Sequence, residues 1–330
     1  MDTTSSTQTP LPRPPKGAGN KTSDTASATA NATEECRRRV YKPILASAAD
    51  SESIVFIDTV NAFFAWYYKT LNAYNRSRHR SVGSTVDAND TTGLASLKAA
   101  FETTFRRGIR NILELTGASS FDIIFAIDCQ RNQVWRHDLL WDAKGRRPVY
   151  KATRVTRSDA GIGVVMRFLY DDLLPRLLPG RRVEASRAEA DDVIGVIARL
   201  VNHRAPTRRV YVISDDSDFV QLMDHPSTEV YTQRLTPMRR KYPSDAREFL
   251  NIKCLMGDRV DNIDAAFPRC GPKTAKTLLS DPRALAAKIK KYGRVKMDRN
   301  RRLIDFDYIP TIVRSRIIER ALLVRHAINK

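Results

Sequence analysis

Three separate apolar runs in this 330-residue chain end on aspartate: SIVFID at Asp58, FDIIFAID at Asp128, and YVIS running into Asp215, Asp216 and Asp218. Short runs of Val, Ile, Phe and Tyr without polar alternation are typical of strands covered on both faces, as in parallel sheets. Helix-like segments lie between them: NAFFAWYYKTL, LASLKAAFETTFRRGIRNILELTG stopped by Gly117, GVVMRFLYDDLLPRLL with a kink expected at Pro175, and AEADDVIGVIARLV. A short strand, RRVEA, precedes the last of these. The alternation predicts an α/β fold, a mostly parallel central sheet flanked by helices. Ligands of such sheets sit beyond the carboxyl ends of the strands, so Asp58, Asp128 and Asp216 are expected at one edge.

A fourth group of acids, Glu189, Asp191 and Asp192, opens the helix AEADDVIGVIARLV. Ser186 as a cap with Glu189 as its capping-box partner, and acids complementing the helix dipole, would explain one or two of them. Neither explains why four segments bring carboxylates to one edge, where mutual repulsion raises their pKa values unless cations compensate. A pair of Mg²⁺ ions satisfies that need, because each takes oxygen ligands and keeps several waters. Two such ions activate water on one side of a phosphate and stabilise the leaving oxygen on the other.

The charge balance agrees with a phosphate-bearing partner. Lys plus Arg is 56 against 37 Asp plus Glu, a formal net charge of +19, which favours nucleic acid over other polyanions. No apolar segment approaches the length of a membrane span, and the N-terminus lacks a secretory pattern, so an intracellular protein is expected. Cys36, Cys129, Cys254 and Cys270 form no close pair and are read as reduced bystanders. Residues 1–50 are rich in Ser, Thr, Ala, Pro and Gly with scattered basic residues, and a disordered tail is expected there.

A fifth segment, LMGDRVDNIDAAFPRCGPKTAKTLL, carries Asp258 and Asp261 three residues apart, then a turn with Pro268, Gly271 and Pro272, then a helix. Backbone N–H groups at such a helix start can hold a phosphate, with Lys273 and Lys276 adding charge.

These pieces together resemble the structure-specific 5′-nucleases, the flap endonuclease and 5′-3′ exonuclease family, and within it the phage ribonuclease H branch. The resemblance rests on FID, on AID followed by WRHDLLWDAKGRRP, on EADDVIGVIA, VISDDSDFVQL and MGDRVDNI, and on LIDFDYIP and the PM pair at Pro237 and Met238. It covers the chain from about Ser53 to the mid-310s. The fold it implies is a PIN-like core over 51–235, including a basic arch at about 130–160. A helical region over 236–330 would carry a helix-hairpin-helix at about 248–280. Asp58, Asp128, Glu189, Asp191, Asp192, Asp216, Asp218, Asp258 and Asp261 match the family's metal-binding acids. Asp215 stands where the family has a small residue and is read as a solvated extra.

The family also places a lysine and an arginine, three residues apart, over the scissile phosphate. Counting without a gap from Arg136 and His137 puts them at Lys144 and Arg147, which Pro148 supports, with Ala143 in place of the family's tyrosine. A gapped alignment selects Tyr150, Lys151 and Arg154 instead. The ungapped register is preferred, with Arg136, His137, Lys151 and Arg154 as nucleic-acid contacts beside Gly271, Lys273 and Lys276. Relatives bind a monovalent ion such as K⁺ at a Gly-Ile-Gly turn, where this chain has Arg269, Cys270 and Gly271. A positive φ there would strain Arg269, whose charge could replace the ion.

The resemblance implies a monomeric phage enzyme of the host cytoplasm that uses two Mg²⁺ ions, with Mn²⁺ as a substitute. It would act on DNA and RNA–DNA hybrid with a free 5′ end or flap, alongside a single-stranded-DNA-binding protein and a sliding clamp. The rivals are a noncatalytic DNA-structure binding protein, a PIN-type RNA-processing ribonuclease, and a basic protein whose acids merely balance charge.

Overall fold

The computed structural model describes residues 52–326, apart from 88, 143, 155–159 and 244. The expected tail over 1–50, Cys36, Ala143 and the end of the expected arch lie outside the described residues.

Five strands form one sheet: β1 (Ser53–Asp58), β2 (Ile123–Ile127), β3 (Arg182–Glu184), β4 (Arg209–Ile213) and β5 (Thr228–Tyr231). Their order is β3-β2-β1-β4-β5, and every pairing is parallel. The chain steps from β1 to one side for β2 and β3, then crosses to the other side for β4 and β5. The crevice at the ends of β1 and β4 is therefore the point where the winding reverses, the usual ligand site of open α/β sheets. Register makes that edge level: Asp58 pairs with Ala126, and Ile57 with Ile213.

Alternation along β1 divides the core. Val55 and Ile57 pack with Phe63, Tyr67, Phe101 and Phe105 from α1 (Thr59–Ser77) and α2 (Thr91–Thr116). Ile54 and Phe56 face the opposite layer, formed by α4 (Ala190–Arg204). Each large apolar side chain buried in this way contributes about 1.5–3 kcal/mol. On the first face α3 (Ala160–Phe168) continues through a π-helical turn, Leu169–Leu173, into a last α turn, Leu174–Leu177. Pro175 lacks the N–H that a regular turn needs and crowds the preceding carbonyls, so the expected kink takes the form of a widened turn.

The C-terminal region holds α5 (Ala246–Met256), α6 (Pro272–Ser280), α7 (Pro282–Tyr292), α8 (Val295–Ile304) and α9 (Thr311–His326). It shares a core with the sheet layer, since Phe306, Val313 and Ile317 join the cluster built on α4. A Cβ on Gly195 would come within 2.8 Å of the Phe306 ring, so this contact requires glycine. Strand β5 was not anticipated from the sequence. It is four residues long, and only Thr228 and Val230 are buried.

Candidate active site

Beyond the sheet edge lies a cavity of about 450 Å³ lined by Asp58, Asp128, Glu189, Asp191 and Asp216, with Tyr150, Lys151 and Arg154 across from them. The backbone fixes each acid. Asp58 ends β1 and caps α1, accepting the Asn61 N–H at 3.2 Å and the Ser214 hydroxyl, from the end of β4, at 2.9 Å. Asp128 follows β2 and accepts the Ala190 N–H at 2.7 Å, which ties it to the first turn of α4. Glu189 is the N-cap of that helix, in a capping box with Asp192 rather than with Ser186. Asp216 caps the 3₁₀ helix after β4 through the Asp218 N–H at 2.9 Å.

The cavity divides electrostatically. Burial, reinforced by Asp128, pushes the Asp58 carboxyl up to about 7. Burial likewise raises Asp128, and burial with Asp216 beside it holds Asp191 well above the ordinary carboxylate range. Glu189 behaves oppositely: burial alone would raise it, but Lys151 and Arg136 outweigh burial and hold it at about 2. One side of the cavity thus carries carboxyls whose burial outweighs their compensation, and the other an ion-pair network.

That network places the basic residues. Lys151 Nζ donates to Glu189 Oε1 at 2.6 Å, and Arg154 Nη2 to Asp261 Oδ1 at 2.5 Å. The buried Tyr150 hydroxyl lies 3.0 Å from Glu189 and 3.2 Å from Asp261. Lys144 and Arg147 stand elsewhere, exposed on a turn pinned by Asp142 and closed by the Trp141–Pro148 bridge. Neither borders the acid cavity. The structure thus brings Tyr150, Lys151 and Arg154, the trio of the gapped alignment, to the acids, and does not bring Lys144 and Arg147 of the preferred register there.

Arg136 lies away from solvent. Expected as a nucleic-acid contact, it is 3% exposed, sits over the Trp135 ring, and bonds Glu189, Asp192 and the Leu303 carbonyl. It positions acids rather than facing solvent. Asp192 is fully buried beneath the cavity, accepting from Trp135 and Arg136, and does not line it. His137 lines the cavity, its ring edge-on to Tyr150, and burial lowers its pKa. Cys129 also lines it, but burial raises the thiol to about 11, so it stays protonated.

Asp218 and Asp258 lie apart from the five acids and share Lys253, which contacts Asp218 and reaches Asp258 at 3.1 Å. Burial opposes ionisation of Asp258, yet Lys253 keeps its carboxyl below the ordinary value. At the expected helix-hairpin-helix, Gly271 caps α6 with φ −87°, and Lys273 and Lys276 are exposed. Lys276 lies 3.2 Å from Glu248. Arg269 has a left-handed φ of +56°, the condition under which its position carries strain.

Among the described residues, no three His, Cys, Asp or Glu side chains are gathered closely enough to hold a metal ion as they stand. The donor set nevertheless suits a hard divalent cation. It is all carboxylate, and at Asp58, Asp128 and Asp191 burial and neighbouring carboxylates outweigh the pull of Lys151 on the latter two, the situation that bound cations relieve.

Residues 53–248 match the family described as "5′-3′ exonuclease, N-terminal resolvase-like domain". The chain belongs to this family. Ribonuclease H of Enterobacteria phage T4 is 29% identical over 217 residues, covering 59% of this chain and 68% of that protein. The thermostable DNA polymerase I of Thermus filiformis is 29% identical over 174 residues, covering 51% of this chain and 20% of the polymerase. The chain therefore spans about a fifth of that polymerase. A solved complex of the bacteriophage T5 D15 flap endonuclease with DNA and metal ions superposes with a TM-score of 0.52 at 17% identity, covering 83% of this chain and 99% of that one. At that identity the likeness establishes the fold, a resolvase-like α/β nuclease core with an added helical region.

One charged residue of the site escaped the sequence reading altogether. Lys253 is 6% exposed between Leu250 and Cys254 on the buried side of α5. A lysine on an apolar helix stripe must find a buried acid, and that signal was available in FLNIKCLM.

Proposed function

We propose that this chain is a Mg²⁺-dependent 5′-3′ exonuclease and ribonuclease H that removes RNA primers and adjacent DNA from 5′ ends during phage DNA replication, with flap endonuclease activity. The observation that carries the reading is the convergence of Asp58, Asp128, Glu189, Asp191 and Asp216 at the strand-reversal crevice, facing Lys151 and Arg154. Family membership supplies the nuclease class.

Asp58, Asp128, Glu189, Asp191 and Asp216 would hold one divalent cation. Asp218, Asp258 and Asp261 would serve a second, some of them through water. Bound there, Mg²⁺, or Mn²⁺ in its place, supplies an activated water and stabilises the leaving oxygen. The chain's own residues do the rest. Lys151 and Arg154 exchange Glu189 and Asp261 for the scissile phosphate and neutralise it as charge develops. Arg136 and Asp192 keep Glu189 in place. The start of α6 at Gly271, with Lys273 and Lys276, holds a phosphate of the duplex behind the cleavage point. Arg269 supplies the positive charge at that turn, so binding there needs no K⁺.

Substrates on this reading are DNA and RNA–DNA hybrid with a free 5′ end or flap, bound by a monomer in the host cytoplasm. A single-stranded-DNA-binding protein and a sliding clamp are the proposed partners. The test incubates 5′-labelled RNA–DNA hybrid, nicked duplex and 5′-flap DNA with wild type and Asp216→Asn, in Mg²⁺ or EDTA. Short 5′ products from wild type alone, in Mg²⁺ only, are expected. Tight binding by both proteins without cleavage would instead identify a noncatalytic DNA-structure binder. Cleavage confined to internal RNA sites would identify an RNA-processing ribonuclease.

A further inference from the structure

A second, larger groove of about 750 Å³ runs along the outer face of α1. It begins where the acid cavity ends, because Asn61 and Phe64 line both. Its walls come from α1, α2 and the loop after β5. α1 contributes Phe64, Tyr68, Lys69 and Asn72, spaced so that they share one helix face. α2 contributes Arg107 and Asn111, and the loop contributes Gln233 and Arg234. At the floor, Gly108 lets the two helices approach, since a Cβ there would come within 2.9 Å of the Trp66 ring.

Three properties restrict what fits. Lys69, Arg107 and Arg234 are all exposed, and the groove's single carboxylate, Asp215, already accepts the Gln233 N–H at 3.1 Å. The three cations come from three different elements, so they are spread along the groove rather than clustered on one helix. Phe64 and Tyr68 present half-buried rings, nearly parallel at 19° with centroids 6.1 Å apart. Amides at Asn72 and Asn111 stand beside them. Cations for phosphates, ring faces for bases and amides for base edges form the chemistry of single-strand recognition, because only unstacked bases expose their faces. A duplex would offer this groove phosphates alone and leave the rings unused.

We propose that this groove binds a single-stranded segment of nucleic acid leading to or from the acid cavity, with Lys69, Arg107 and Arg234 on its phosphates and Tyr68 against a base. The inference rests on the nuclease reading only for the polymer's identity, and its test needs no cleavage. Fluorescence anisotropy in EDTA would compare a labelled twelve-nucleotide oligo-dT with a blunt twelve-base-pair duplex. Arg107→Gln/Arg234→Gln is expected to weaken oligo-dT binding about tenfold and to flatten its salt slope by about 1.4, the value for two lost phosphate contacts on a single strand. Duplex binding should change less than twofold. Tyr68→Leu should weaken oligo-dT binding several-fold with the salt slope unchanged.

The control is Arg76→Gln/Arg110→Gln, which removes equal charge from exposed positions outside the groove. Equal losses in the control and groove variants would overturn the proposal in favour of bulk electrostatics. Equal losses on oligo-dT and duplex would overturn it in favour of a duplex surface, and no loss in either groove variant would overturn it outright. Unchanged thermal denaturation of every variant excludes misfolding. If oligo-dT binding behaves as expected while no substrate is cleaved in Mg²⁺, the groove stands and the nuclease reading fails.

Discussion

Lys151 Nζ lies 2.6 Å from Glu189 Oε1, so the cation nearest the acid cavity is held by the residue that caps α4. Arg154, three residues on, is held in the same way by Asp261. Both line the acid cavity within ion pairs. Removing a preorganised positive group from a phosphoryl site costs roughly 10²- to 10³-fold in turnover. Lys151→Ala should therefore lower single-turnover cleavage of a 5′-flap substrate by that factor. Lys144→Ala and Arg147→Ala, on a turn that does not line the cavity, should leave it within about threefold of wild type and weaken binding mainly at low salt, the difference shrinking as salt rises. The reverse ranking would return the catalytic role to the 144–147 turn.

Metal removal should make stability fall as pH rises. Asp58 has a folded pKa of about 7 against an ordinary 3.8, so the folded state favours its protonated form. As pH climbs from about 4 to 7 the unfolded chain releases this proton first, and stability is lost, by at most about 4 kcal/mol. Asp128 and Asp191 are raised and act in the same direction. Glu189, held at about 2 against an ordinary 4.5, contributes stability that is fully present above its ordinary value and lost as pH falls from there through 2, so it is constant from pH 5 to pH 8. In EDTA, the melting temperature should drop from pH 5 to pH 8. Asp58→Asn should flatten that drop, and Mg²⁺ should remove it. A melting temperature in EDTA that rises with pH would contradict the burial of these carboxyls.

The sheet and its acids were legible because strands covered on both faces leave short apolar runs, and a parallel sheet sends every run's end to one edge. Asp58, Asp128 and Asp216 follow from that alone. The basic trio was not legible in the same way. Between Asp128 and α3 the described backbone is 3₁₀ turns and loops without period, so no pattern along the chain distinguishes which Lys and Arg meet the acids. Arg136 was misjudged because charge suggests solvent, whereas its partners Glu189 and Asp192 stand more than fifty residues away in sequence. Strand β5 was missed because four residues, half of them buried, carry too little alternation to register.

Arg269 stores strain that glycine would relieve. Its φ of +56° places a side chain in the left-handed region, where a non-glycine residue costs about 1 kcal/mol. Arg269→Gly should therefore raise the unfolding free energy obtained from urea denaturation by that amount. If the guanidinium serves as the local cation at the turn before α6, the same variant should bind duplex DNA more weakly in Na⁺ than in K⁺, while wild type shows no preference. A more stable variant with unchanged ion dependence would leave Arg269 a purely conformational cost.

Lys253 offers the sharpest test of how the second acid group is held. Its ammonium is buried between Asp218 and Asp258, and removing one member of such a cluster leaves carboxylates facing each other without compensation. Breaking a buried pair in this way costs about 3–5 kcal/mol. Lys253→Met keeps the volume and removes the charge, so its unfolding free energy in EDTA, measured by urea denaturation, should fall by that amount. Adding Asp218→Asn should recover part of the loss, because it removes one of the two charges left behind. Millimolar Mg²⁺ should stabilise Lys253→Met more than wild type, since the cation and the ammonium compete for the same oxygens. If Mg²⁺ stabilises both proteins equally, Asp218 and Asp258 do not take part in cation binding, and Lys253 is an ordinary buried salt-bridge residue.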